Sequence, residues 1–146
     1  MATILLVNGP NLNLLGVRET SIYGSHTLDS INQTVADLVE SQGHRFESFQ
    51  TNHEGEIIDR LHLAREQGVD FILINPAGFT HTSVAIRDAM LAVSIPFMEI
   101  HLSEPKQRES FRHHSYFSDI AVEVFSGHGP DSYTLAAKAA IKRLNH

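Results

Sequence analysis

Glu99 and His101 have the residue types and the spacing of an acid–base pair. They are two residues apart in the apolar run 97–102, and side chains two apart on a β-strand point to the same face. A carboxylate beside an imidazole orients the ring and favours its protonated form, which a general acid requires. The competing interpretation is a capping or core histidine, with Glu99 only as its ion-pair partner.

A second reactive group lies in the polar segment 17–24, which has neither helical nor strand period. Such a segment is long enough to act as a lid and to bring Arg18 and Tyr23 to one substrate. Tyr23 could act as a base near neutrality only if its pKa fell from about 10 to roughly 7 to 8, a change of about 3 to 4 kcal/mol. A guanidinium such as that of Arg18 favours the ionised phenol. The alternative is a half-exposed loop tyrosine beside a solvated arginine.

The elements that must position these residues have a clear pattern. Short apolar runs alternate with longer segments of helical period, as in strands joined by crossover helices. The predicted strands are residues 4–8, 45–50, 71–75, 97–102 and 121–126, and the predicted helices are residues 28–39, 57–64, 84–91 and 135–144. Five parallel strands with helices on both faces predict an α/β, flavodoxin-like doubly wound sheet of order 2-1-3-4-5. Residues 105–119 have no clear pattern.

In such a sheet, ligands bind beyond the carboxyl ends of the strands, at the switch point between the first and third strands. Unusual polar residues lie there, in residues 8–16, in residues 75–82 and at the end of the fourth strand. We therefore expect three loops to converge on one crevice. The first loop, NGPNLNLLG, matches neither GxxxxGK[ST] nor GxGxxG, so we do not expect it to cradle a nucleotide.

Composition indicates a small-molecule partner. With 146 residues, 42% hydrophobic and 19% charged, the chain is expected to form a single catalytic domain, residues 1–146. The net charge of −6 and the scattered basic residues argue against nucleic-acid binding. The apolar run 4–7 is too short for a signal peptide, and no segment has the length of a membrane span. The absence of cysteine excludes disulfides and thiolate metal sites and fits a cytoplasmic location.

Several strings of the sequence resemble those of one enzyme family, in its order and spacing. The strings are LVNGPNLNLLGVRE, IYG, TNHEGEIIDRLH, INPAGFTHTSVAIRDA, EIHLSEP and FRHHSY. The family is that of the type II 3-dehydroquinases (3-dehydroquinate dehydratases), and the resemblance covers nearly the whole chain. This register changes the interpretation of Tyr23 and His101 from structural residues to catalytic ones.

The resemblance implies the dehydration of 3-dehydroquinate to 3-dehydroshikimate by anti elimination through an enolate, with no cofactor, metal or Schiff base. Tyr23 would take the proton from carbon 2, and Arg18 would hold Tyr23 ionised. Asn11 would position a water that stabilises the enolate oxygen. His101, oriented by Asn75 and supported by the Glu99 carboxylate, would protonate the departing hydroxyl at carbon 1.

The resemblance also implies where the substrate binds. The substrate carboxylate is expected at Asn75 and at the backbone amides of Leu102 and Ser103. The ring hydroxyls are expected at His81 and Arg112.

An oligomer is implied by Asp88. In the family the matching aspartate reaches the active site of an adjacent subunit, and the enzymes are trimers assembled into dodecamers. We therefore expect a homo-oligomer, a dodecamer of four trimers.

Three positions depart from the family pattern, and none of them is a proposed proton-transfer residue. Thr20 stands where the lid usually has proline, which would loosen the lid. Phe79 stands where tyrosine is common. Glu104 stands where asparagine normally follows the serine, and it would add negative charge near the substrate carboxylate. Arg108 is expected to support the lid.

Three other functions are alternatives to the dehydratase. A flavin- or nucleotide-binding module is the default use of this fold and predicts a yellow protein or tight nucleotide binding. A phosphoacceptor domain needs an acidic pair after the first strand and an aspartate after the third, where this chain has Asn8 and Asn75. An inactive relative that serves only in assembly is a third alternative. His113 and His114 are adjacent, and adjacent side chains rarely converge on one metal ion.

Overall fold

The order of the strands follows the prediction. The structure is a computed structural model that describes residues 1–17 and 26–146. Within these residues one sheet contains the parallel strands β1 Thr3–Asn8, β2 Arg45–Gln50, β3 Phe71–Asn75, β4 Phe97–Ile100 and β5 Glu123–Phe125. Their order is β2-β1-β3-β4-β5. This order confirms the doubly wound, flavodoxin-like fold and puts the switch point between β1 and β3.

The α-helices of the described residues are α1 Leu28–Ser41, α2 Glu54–Gln67, α3 Val84–Val93 and α4 Asp131–Leu144. Thr27 caps α1, because its Oγ1 accepts a hydrogen bond from the Ser30 N–H at 3.1 Å. α2 ends at Gly68, whose φ of 72° lies in the left-handed region. α4 begins at Asp131, four residues before the predicted start at Leu135. Its first turn, which follows Pro130, is polar, so the apolar periodicity does not reveal it.

The sheet separates two apolar cores, since successive side chains of a strand point to opposite faces. The core under α1 and α4 takes Ile4, Leu6, Phe71 and Leu73 from β1 and β3, and the core under α2 and α3 takes Leu5, Val7, Ile72 and Ile74. Burial of each such side chain contributes about 1.5–3 kcal/mol. The two central strands are therefore a rigid platform for the loops that leave them.

β4 ends at Ile100, earlier than the predicted end at residue 102. The His101 N–H still donates to the Phe125 carbonyl at 2.9 Å. The Leu102 and Ser103 carbonyls instead accept from the N–H groups of Gly129 and Gly127 in the loop after β5. Apolar sequence therefore continues beyond the point where the backbone leaves the ladder. His101 consequently stands at the carboxyl edge of the sheet.

One strand and one loop segment differ from the prediction. β5 is shorter than the predicted strand 121–126, because the Ala121 N–H turns back to the Phe117 carbonyl at 2.9 Å. The unpatterned segment 105–119 contains two short 3-10 helices, Pro105–Gln107 and Ser110–Arg112. Among the described residues, no helix combines the length and the apolar character needed to cross a membrane.

The loops after β1 and β3 meet at Gly9. The Gly9 N–H donates to the Asn75 carbonyl at 2.8 Å. A Cβ at Gly9 would lie 2.4 Å from the Pro76 carbonyl oxygen, so only glycine permits this approach. The loops that carry Asn11 and Asn75 are thereby held against each other.

Candidate active site

A cavity of about 190 Å³ opens at the carboxyl ends of β1, β3 and β4. Its lining consists of Pro10, Asn11 and Leu12 after β1, Asn75, Ala77, Gly78 and His81 after β3, His101, Leu102 and Ser103 after β4, and Pro105, Arg108 and Arg112 beyond them. The three loops thus converge at the switch point, as the sequence predicts. Most of the predicted site residues line this one cavity.

The Glu99 carboxylate holds the His101 ring. His101 Nε2 lies 2.5 Å from Glu99 Oε2, and the two residues are 7% and 1% exposed. Ser115 Oγ donates to Glu99 Oε2 at 2.9 Å, and Ser118 Oγ donates to Oε1 at 2.7 Å. Burial alone would raise the pKa of Glu99, but these hydrogen bonds and the charge of His101 bring that pKa below its usual value. Glu99 is therefore a buried carboxylate with both oxygens satisfied.

This arrangement determines which nitrogen of His101 faces a ligand. Because the ionised carboxylate only accepts hydrogen bonds, His101 Nε2 must carry a proton and donate it to Glu99. Nδ1 is then the ring nitrogen left for the cavity, where a ring that carries both protons could donate to a ligand. His101 can act as a general acid through Nδ1.

His81 is oriented in a similar way by backbone. Its Nδ1 lies 2.8 Å from the His114 carbonyl oxygen, which can only accept, so Nδ1 is the donor and Nε2 is left for the cavity. Burial lowers the pKa of His81, although the hydrogen bond to His114 opposes that effect. The charges of His101 and Arg112 lower it further. A neutral His81 would offer Nε2 as an acceptor for a ligand hydroxyl.

Asn75 is fixed by two hydrogen bonds. Its Oδ1 accepts from the Ala77 N–H at 3.1 Å, and its Nδ2 donates to the Tyr133 hydroxyl at 2.8 Å. Among the described residues, Glu99 rather than Asn75 makes the hydrogen bond that orients His101. Asn75 still lines the cavity, where its amide can meet a ligand.

The turn after β4 offers backbone donors. The Leu102 and Ser103 carbonyls accept from Gly129 and Gly127, at 2.9 and 3.1 Å. Within the described part of the chain, the N–H groups of Leu102 and Ser103 donate to no acceptor. Two adjacent amide groups without internal partners are suited to an anion such as a carboxylate.

Asn11 occupies a left-handed conformation, with φ 70° and ψ −5°. Asparagine adopts this region more readily than most residues. Its N–H donates to Asn52 Oδ1 at 2.9 Å, which ties the loop after β1 to the end of β2. The backbone is thus fixed while the side chain is exposed at the cavity.

Positive charge enters the cavity from the segment after β4. Arg108 Nη1 lies 3.5 Å from Ser103 Oγ. Arg112 Nε donates to Glu109 Oε1 at 2.9 Å, and its guanidinium carbon lies 5.0 Å from the centre of the Phe111 ring. These two guanidinium groups favour an anionic ligand.

Glu104 points away from this cavity. It lines a second cavity of about 280 Å³ on the Glu99 side of His101, and its Oε2 accepts from Ser126 Oγ at 2.5 Å. The expected negative charge beside the substrate carboxylate is therefore directed elsewhere. The sequence pattern predicts neither this second cavity nor the serines that hold Glu99, because Ser115 and Ser118 lie in the unpatterned segment 105–119.

The remaining predicted residues lie elsewhere. Asp88 is exposed on α3 and does not line the cavity of its own chain. Arg18 and Tyr23, like Thr20, lie outside the described residues. Among the described residues, no three His, Cys, Asp or Glu side chains cluster as metal ligands.

Comparisons with known proteins give a consistent result. A family model described as dehydroquinase class II matches residues 2–141. The chain is 60% identical over 144 residues to a 3-dehydroquinate dehydratase of Cellvibrio japonicus, covering 99% of this chain and 97% of that protein. It is 59% identical to a 3-dehydroquinate dehydratase of Stutzerimonas stutzeri, with 99% and 98% covered. The crystal structure of a type II dehydroquinase from Butyrivibrio crossotus superposes with a TM-score of 0.92 at 40% identity, covering 99% of this chain and 98% of that one.

Proposed function

The chain belongs to the dehydroquinase class II family, and on that premise we propose how its residues carry out the family reaction. It is a 3-dehydroquinate dehydratase, a lyase that forms 3-dehydroshikimate. This membership decides against a flavin- or nucleotide-binding module. The same step serves the shikimate pathway to aromatic amino acids and the degradation of quinate. The observation that carries the mechanism is the buried Glu99–His101 pair at the cavity.

The reaction begins with removal of a proton from carbon 2 by the Tyr23 phenolate. The electrons of the carbon–hydrogen bond move toward the carbonyl at carbon 3 and form an enolate. The His101 imidazolium then gives its Nδ1 proton to the hydroxyl at carbon 1, because hydroxide is a poor leaving group and water is a good one. As the carbon–oxygen bond breaks, the enolate electrons form the double bond between carbons 1 and 2. Return of the proton from Tyr23 to His101 completes the cycle.

Two further roles rest on the family resemblance. Arg18 belongs to the same segment of the sequence as Tyr23, residues 17–24, and keeps the phenol ionised through its charge. Asn11 positions a water that donates to the enolate oxygen, and its exposed position at the cavity supports this role.

The substrate carboxylate binds to Asn75 Nδ2 and to the N–H groups of Leu102 and Ser103. The support for this is the pair of adjacent amides described above, together with the nearby guanidinium groups. His81 Nε2 and the Arg112 guanidinium bind the ring hydroxyls from the other part of the cavity lining. Arg108, which lines the cavity, supports the lid, and this role rests on the family resemblance.

The test is a turnover assay with purified protein that has been treated with a chelator and, separately, with borohydride. Mixing it with 3-dehydroquinate should produce the absorbance of the conjugated enone of 3-dehydroshikimate. Activity that survives both treatments supports chemistry without a metal or a lysine imine. Folded wild-type protein that gives no absorbance would contradict the proposed activity and favour an inactive relative.

We also propose that the chain assembles as a dodecamer of four trimers in which Asp88 serves the adjacent subunit. α3 supports this, because Val84 and Leu91 are each 50% exposed and share a helix face with the exposed Asp88. The absence of cysteine supports a cytoplasmic location. Fractionation of cells, with immunodetection of the protein, tests the location.

A further inference from the structure

Tyr133 of α4 lies behind the cavity and joins three elements through its hydroxyl. The hydroxyl accepts from Asn75 Nδ2 at 2.8 Å and donates to Asn8 Oδ1 at 2.7 Å. Tyr133 and Asn8 are completely buried, and Asn75 is 3% exposed. A continuous buried chain of hydrogen bonds thus runs from α4 to the ends of β3 and β1.

The direction of the hydrogen bond between Asn75 and Tyr133 follows from one backbone group. The Ala77 N–H can only donate, so the Asn75 atom 3.1 Å from it must be the oxygen Oδ1. Nδ2 of Asn75 must then face Tyr133, and the Tyr133 hydroxyl must accept from it. The hydroxyl keeps its own proton, which it donates to Asn8 Oδ1. A flipped Asn75 amide would place two donors against each other at Ala77.

Burial keeps this direction constant over the working pH range. It raises the pKa of Tyr133 above the usual tyrosine range, although the hydrogen bond from Asn75 opposes the rise. Tyr133 therefore stays protonated and neutral and goes on donating to Asn8. Its ring also fills the core between α4 and the sheet, so removal of the hydroxyl alone separates the polar role from the packing role.

We propose that Tyr133 is a positioning residue for substrate binding, because its hydroxyl fixes the Asn75 amide and leaves the second Nδ2 proton for the substrate carboxylate. The inference rests on the proposed function of Asn75. Two contacts, to Ala77 and Tyr133, fix the plane of the amide. Without the hydroxyl, Asn75 Nδ2 loses its buried acceptor. The amide is then free to rotate away from the substrate carboxylate.

The first experiment compares Tyr133→Phe with Tyr116→Phe as the matched control. Tyr116 is half-buried, and the hydrogen bonds found for it in the described structure are made by its backbone N–H and carbonyl. Tyr133→Phe should raise the KM for 3-dehydroquinate about tenfold, the effect of losing one hydrogen bond to a charged group, and should change kcat less than about twofold. Tyr116→Phe should change neither. A loss confined to kcat, or an unchanged KM, would overturn the proposal.

The second experiment asks whether Tyr133 acts through Asn75. Adding Tyr133→Phe to Asn75→Ala should raise KM no further than Asn75→Ala alone, because the group that Tyr133 positions is already absent. Multiplying effects would assign Tyr133 a separate, structural role. In the double variant the Asn75 amide is absent, so no buried Nδ2 group is left without an acceptor. The comparison with Asn75→Ala can therefore still be made if Tyr133→Phe alone fails to fold.

A readout without turnover separates this inference from the proposed function. In 15N-labelled protein, the side-chain NH2 signals of Asn75 should shift and exchange faster with solvent in Tyr133→Phe, but not in Tyr116→Phe. Unchanged signals would contradict the positioning role even in an active enzyme. If the two variants differ in their NMR signals as expected but the wild-type protein does not dehydrate 3-dehydroquinate, the proposed activity is contradicted and the positioning role is not.

Discussion

At the residue scale, His101, the proposed acid, is held by the buried carboxylate of Glu99. Glu99 donates nothing and accepts from His101, Ser115 and Ser118. Glu99→Gln keeps the shape of the side chain but replaces the carboxylate that accepts from His101 Nε2 with a neutral amide. We expect kcat to fall by about 10²-fold or more, the lower end of the contribution of a positioned acid, because a charged acceptor no longer holds the ring. Steady-state turnover at a single pH, with the circular dichroism spectrum as a check of folding, measures this.

Glu104→Gln is the matched control, since Glu104 lines the second cavity and accepts from Ser126. Its kcat should equal that of the wild type. An unchanged kcat in Glu99→Gln would show that the Glu99 carboxylate does not support the proposed acid.

The same carboxylate should affect stability in acid. The pKa of Glu99 in the folded protein lies below the ordinary value of 4.5. Ionised Glu99 therefore stabilises the fold above about pH 4.5, and this contribution is lost as the pH falls through the lowered pKa. Between pH 6 and pH 3, the wild type should lose more free energy of unfolding than Glu99→Gln. Urea unfolding at each pH measures it, and parallel losses in the two proteins would contradict the assignment.

The proposed role of Tyr23 as the base is tested by a variant that lacks only its hydroxyl. Tyr23→Phe should keep the circular dichroism spectrum and the binding of a product analogue, while kcat falls by about 10²–10⁴, the usual contribution of a positioned base. Turnover equal to that of the wild type would require another base.

At the element scale, the close contact of the loops after β1 and β3 holds the cavity open in one shape. Gly9→Ala would place Cβ 2.4 Å from the Pro76 carbonyl. The loops must separate, and we expect about 1–3 kcal/mol of destabilisation together with a higher KM, since both loops carry cavity residues. Gly55→Ala is the control, because its Cβ meets no atom within 4 Å at the start of α2. Equal stability of the two variants would argue against the contact.

The elements also show how far sequence patterns reach. The strand order and the convergence of three loops follow from periodicity and the general rule for doubly wound sheets. The end of β4 was predicted too late, because hydrophobicity does not report where backbone hydrogen bonds leave a ladder. The serines that hold Glu99 and the hydroxyl that holds Asn75 come from distant parts of the chain. Such contacts depend on tertiary packing, which no local pattern encodes.

At the scale of the whole molecule, Asp88 has no place in the cavity of its own chain. It lies on an exposed face of α3 with Val84 and Leu91, at the i, i+4 and i+7 spacing of a helix stripe. An exposed apolar stripe that also contains a carboxylate is explained if a neighbouring subunit covers it. In the proposed assembly, activity depends on association, because each site would receive Asp88 from another chain.

Leu91→Glu tests this coupling by placing a charge in the stripe. We expect a smaller assembly by sedimentation velocity and a fall in activity that follows the loss of mass across a dilution series. Leu63→Glu is the control, because Leu63 is comparably exposed, at 42%, but lies on α2. If the Leu91→Glu protein dissociated and kept full activity, each site would be complete within one chain, and Asp88 would have no part in its neighbour. If activity and mass fell together, the cavity would be one part of a site that only the assembly completes.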